Sequence, residues 1–131
     1  MDIKDFKVGQ IVWVELTGNA KRNKTQEECI EEWEITSVGK KYLEAKRKGT
    51  NYVVKFEKRG GTYSGRFVQK TTYCIDYIIY ESKQALLDTF EKRRLLDEVS
   101  EFFRGYGASR NILLEQLRKI SAIIKESGEE Q

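Results

Sequence analysis

The chain has 131 residues, 39% of them hydrophobic and 34% charged, with a formal net charge of +3. That length supports one domain with a moderate core, and the composition excludes wholesale disorder. Without histidine, and with Cys29 and Cys74 as its only cysteines, the chain lacks the commonest general base and cannot close a zinc site by itself.

No metal, cofactor or disulfide is expected. The N-terminal MDIKDFKVGQ contains no signal-peptide core, and no apolar run approaches the roughly 18 residues of a membrane helix. A cytoplasmic protein with no membrane partner is the expectation.

In chain order, Ile11–Val14 (IVWV) predicts a first strand, uniformly apolar and therefore expected to be buried on both faces or nearly so. Thr17–Gln26 is polar, carries Gly18 and two Asn, and reads as a flexible hairpin loop with a basic tip at Lys21, Arg22 and Lys24. Cys29, Trp33 and Ile35 alternate with Glu32, Glu34 and Thr36, the two-residue period of a half-buried strand. After a turn at Val38–Lys41, Tyr42–Arg47 and Tyr52–Phe56 predict two more strands. Gly60-Gly61 breaks the chain, and Tyr63–Val68 and Tyr73–Tyr80 supply the last strands.

Short strands at roughly ten-residue spacing point to a small antiparallel barrel. From Ser82 the period changes to that of a helix. Ser82 is an N-cap, and Leu86, Phe90, Leu96, Val99 and Phe103 follow at helical spacing to about Arg104. Gly105 and Gly107 bracket a stop, Ser109 or Asn111 caps a second helix, and Leu113, Leu117, Ile120 and Ile124 form its apolar stripe. The expected fold is α+β: a small antiparallel barrel over 1–81, then a two-helix hairpin over 82–126 packed on the barrel or on a second subunit. Residues 127–131 read as a frayed tail.

The net charge hides a segregation. Residues 1–39 hold five bases and eight acids, residues 40–70 ten and two, and residues 71–131 nine and eleven. A positive block of that kind marks an anionic partner. Lys40, Lys41, Lys46, Arg47, Lys55, Arg59 and Arg66 are the residues expected to neutralise phosphates, with Lys48, Lys58 and Lys70 in the same block. Tyr42, Tyr52 and Tyr63 are interleaved among them and would stack on bases. The competing reading is that these lysines solubilise the outer face of a barrel and the aromatics are core.

An enzymatic reading rests on Glu34, Glu44 and Lys46, a faint echo of the acid…Glu-x-Lys pattern of metal-dependent nucleases, with Glu44 and Lys46 on one strand face. Glu-x-Lys arises easily in charged strands, and a non-enzymatic protein is expected. The acidic run Glu27–Glu34 does not converge as a cation cage would. It is read as pairing with the neighbouring basic strand.

Three stretches, Phe6–Val14 (FKVGQIVWV), Ile35–Tyr42 (ITSVGKKY) and Leu114–Ile120 (LEQLRKI), resemble small "β barrel" proteins of phages and prophages of Gram-positive bacteria. The resemblance implies an SH3-like barrel, residence in the bacterial host cytoplasm, and an accessory role. That role would be binding nucleic acid or a nucleotide, or inhibiting a host defence protein by direct contact or by sequestering a nucleotide signal. No site residue carries over from it. A homo-oligomer through the C-terminal helices is a further expectation.

Overall fold

A computed structural model describes residues 2–104 and 112–129. The strands are β1 (Ile11–Leu16), β2 (Ile30–Val38), β3 (Tyr42–Arg47), β4 (Val53–Arg59), β5 (Arg66–Gln69) and β6 (Tyr77–Tyr80). Among the described residues two helices follow, α1 (Lys83–Arg104) and α2 (Leu114–Glu129). Each strand pairs antiparallel with the next, and β6 returns to β1, so the sheet is a closed barrel. Closure leaves no unpaired sheet edge. The α+β expectation holds: a small antiparallel barrel followed by C-terminal helices.

The interior is set by strand parity. Val12 and Val14, Trp33 and Ile35, Leu43 and Ala45, Val54 and Phe56 all point inward and are buried. Trp33 packs against Tyr77 at 4.9 Å and Phe56 at 6.0 Å between ring centroids, while Phe6 meets Phe67 edge-on at 5.4 Å. The expectation that β1 is buried on both faces or nearly so holds for Val12 and Val14 but not for Ile11, which is exposed, or Trp13, which is half-buried. A run of apolar residues hides the alternation that a one-layer barrel wall imposes.

A second set of buried residues, Val68, Ile75, Ile78, Tyr80 and Leu86, lies outside the interior cluster. Val68 alternates with inward Phe67, and Ile78 and Tyr80 with inward Ile79, so these side chains stand on the outer wall of β5 and β6. The chain forms two compact units, Met1–Thr89 and Phe90–Gln131, so the first turns of α1, with buried Leu86, go with the barrel.

Three other expectations are corrected. Thr17–Gln26 is fastened rather than free: Thr17 Oγ1 donates to the Ile75 carbonyl at 2.6 Å, and the Asn19 and Ala20 amides donate to Asp76 Oδ1 at 2.9 and 3.4 Å. Nothing local signals a partner more than fifty residues away. The run from Tyr63 yields a 3-10 turn at Gly61–Tyr63, a left-handed Ser64, and a strand only from Arg66. The run from Tyr73 becomes strand only at Tyr77, leaving Tyr73 at the surface.

In β2 the register slips between Ile35 and Ser37, making Thr36 a bulge. Val38 thereby returns to the inner face and packs against the core.

Ser82 caps α1 as expected, its Oγ accepting from the Ala85 amide at 3.1 Å. At α2 the Gln116 side chain accepts from the Leu113 amide at 2.9 Å, half of a capping box. The expected stop at Gly105 and Gly107 and the expected caps Ser109 and Asn111 lie outside the described residues. Helix α2 runs to Glu129, and the last two residues of the expected tail lie outside the described residues. Among the described residues no helix is long and apolar enough to cross a membrane.

Candidate functional site

Strand register decides which members of the basic block share a surface. On the outer face of β3 stand Tyr42, Glu44 and Lys46, alternating with inward Leu43 and Ala45. Tyr42 is opposite Glu57 and Glu44 opposite Lys55 on β4. Past the end of β5, the Lys70 amide donates to the Lys55 carbonyl at 2.8 Å, which sets Lys70 beside Lys55 on the same face.

Three ammonium groups gather around the Tyr42 ring: Lys70 Nζ lies 4.7 Å from its centroid, and Lys41 Nζ and Lys55 Nζ each 5.6 Å. The ring face is electron-rich and attracts cations, which holds these long side chains near it. Among the described residues none of the three lysines has an ion-pair partner. Glu44 is in register with Lys55 but not bonded to it, and the other nearby acid, Glu57, is held by Arg59 at 3.1 Å. Lys55 and Lys70 therefore face each other as like charges, an arrangement that costs stability. Lys40 adjoins the cluster in the exposed β2–β3 turn, and Lys46 lies further along β3, opposite Glu34 and Val53.

The arginines of the expected set are engaged elsewhere. Arg47 is ion-paired to Glu31, whose other oxygen accepts from Trp33 Nε1 at 3.1 Å. Arg59 holds Glu57 and also donates to the Thr71 carbonyl at 3.3 Å. Arg66 stacks on the Tyr80 ring at 4.0 Å and pairs with Glu81 at 3.0 Å. Lys48 is bonded to Glu32 at 3.0 Å, so the acidic run does pair with the basic strand.

The tyrosines also separate. Tyr52 is half-exposed but edge-packed against Trp33 and Tyr77 at 6.2 Å each, at the opposite end of β3 from Tyr42. Burial, then the nearby Tyr52 hydroxyl, push the Tyr77 phenol above its ordinary range. Tyr63 lies half-buried in its 3-10 turn, away from β3.

The structure thus brings together Lys41, Tyr42 and Lys55 from the expected set and adds Lys70, which the sequence placed in the block but not among the favoured residues. It shares the outward parity of Val68, two residues earlier, which would have revealed it only if the strand had been known to run from Arg66. The Glu34–Glu44–Lys46 pattern sits on neighbouring strands, with Glu34 opposite Lys46. Among the described residues no three acids or cysteines converge to hold a metal ion.

A closed antiparallel barrel with a lysine-ringed tyrosine on its outer wall, followed by C-terminal helices, defines the class of protein. The family of the Phage ProQ C-terminal-like domain matches residues 1–129, and the chain belongs to it. Comparisons with curated proteins and with solved structures return no match.

Proposed function

We propose that this is a non-enzymatic, phage-type accessory protein that binds the phosphate backbone of nucleic acid on the outer face of β3 and β4. The observation that carries this is Tyr42 ringed by Lys41, Lys55 and Lys70, with no carboxylate among the described residues neutralising them. An unneutralised cation cluster beside a tyrosine is the pairing that single-stranded ligands use, phosphates on the lysines and a base on the ring. Lysines are point charges without the planar fork of arginine, so the surface suits backbone contact without base discrimination.

The test is fluorescence anisotropy with labelled single- and double-stranded DNA and RNA at about 50 and 200 mM salt. Three phosphate contacts on a single strand predict a loss of affinity of about twentyfold over that range. K55E/K70E should abolish binding, and Tyr42→Ala should weaken it by about 5- to 160-fold, the worth of one stacked base. Arg47→Gln should leave it within about twofold, since a guanidinium already paired with Glu31 adds little. Competition by free nucleotide at equal phosphate concentration would shift the reading to a nucleotide ligand. Absence of binding at the lower salt would overturn it, and inhibition of a host defence protein by direct contact would take its place.

A further inference from the structure

The barrel unit is complete, but the helical unit is not. Among the described residues beyond Leu86 none is buried. On α1, Leu95, Leu96, Val99, Phe102 and Phe103 lie in the open on one broad stripe. At α2, Leu113, Leu114, Leu117, Ile123 and Ile124 are exposed as well. Isolated helices of this length are marginal in water, and helical stability comes from packing an apolar face. Two amphipathic helices that bury nothing are half of an interface.

Those ten side chains are between 42% and 65% exposed. At that exposure they present roughly 1,000 Å² of apolar surface. A stable complex needs about 800 Å² from each partner, which the two helices together can supply. The charge on this segment permits a copy of itself. In Phe90–Arg104, Lys92, Arg93, Arg94 and Arg104 are matched by Glu91, Asp97, Glu98 and Glu101, so two copies do not repel as two basic blocks would.

We propose that the apolar faces of α1 beyond Phe90 and of α2 dock on the same faces of a second copy of this chain, giving a two-fold homodimer joined through a helical bundle. The dimer rests on the helices and is independent of the Tyr42 surface.

Light scattering of the full chain across the micromolar range tests this. The expected mass is twice 15.3 kDa. V99D/L117D should return the monomer. Both tryptophans, Trp13 and Trp33, lie in the barrel unit, so an unchanged fluorescence spectrum and urea midpoint for that unit show that the variant has folded. A wild-type mass of one chain at every concentration overturns the proposal. So does a V99D/L117D variant that stays dimeric, which would place the interface elsewhere.

Discussion

The barrel is closed by its thinnest seam. β5 and β6 share a single registered pair, Val68 with Ile78, while β6 and β1 share four. Across that wall runs a chain of side chains: Glu81 holds Arg66, Arg66 stacks on Tyr80, and the Tyr80 hydroxyl donates to Glu15 Oε1 at 2.9 Å. Glu15 is 3% exposed, the only buried charged residue among those described. Tyr80→Phe removes the hydroxyl and keeps the ring, so the Arg66 stack and the packing survive. A hydrogen bond to a buried charge contributes about 1.5–3 kcal/mol, and here its loss withdraws a donor from a carboxylate shielded from water. A loss near 2 kcal/mol corresponds to a fall in Tm of about 8–16 °C for a unit of this size. Urea denaturation followed by tryptophan fluorescence measures it, with an unchanged slope expected. Tyr42→Phe is the control, because the Tyr42 hydroxyl makes no hydrogen bond among the described residues and its removal should cost less than about 0.5 kcal/mol. If Tyr80→Phe costs no more than Tyr42→Phe, the hydroxyl does not tie β6 to β1, and the reasoning fails.

Two further outcomes follow from the loop that Asp76 fastens and from the thiols. Gly18 has φ +51°, and a Cβ there would sit 2.5 Å from Cys74 Sγ and 2.8 Å from the Ile75 carbonyl oxygen. Gly18→Ala should therefore cost about 1–3 kcal/mol through strain and displacement of the Asp76 clamp, whereas Gly9→Ala, where space is open, should cost less; paired urea titrations compare them. Burial pushes the Cys29 thiol up against the lowering fields of Lys21 and Lys24, while Cys74 is exposed. At pH 8 a thiol reagent should modify one cysteine quickly, and mass spectrometry should find it on Cys74. Cys29 should react only as the protein unfolds, and rapid double labelling would contradict its burial.

Much of the architecture was legible because its signals are local. Trp33 and Ile35 alternate with Glu32 and Glu34, and both pairs fall where a two-residue period puts them. Ser82 ends the strands and starts a helix because its hydroxyl can satisfy a free amide three residues on. The strand limits at Arg66 and Tyr77 were not legible. Tyr63 and Tyr73 have strand propensity, but the 3-10 turn at Gly61–Tyr63 and the Thr71 hydroxyl bonded to the Tyr73 amide take those segments out of the ladder.

The sequence by itself determined the barrel, the basic block and the helical stripes, since each depends on composition or on spacing within a few residues. Only the tertiary structure decided which charges are free. Arg47 and Glu31 are sixteen residues apart, and Arg66 and Glu81 fifteen, yet register makes each pair neighbours and removes both arginines from the candidate surface. The same register brings Lys70 to Lys55 and Tyr42, and turns Glu15 onto a wall where Tyr80 can reach it. A slip of one residue would reverse every one of these assignments. The closure of β6 on β1, a contact between the two ends of the barrel segment, is what fixes it.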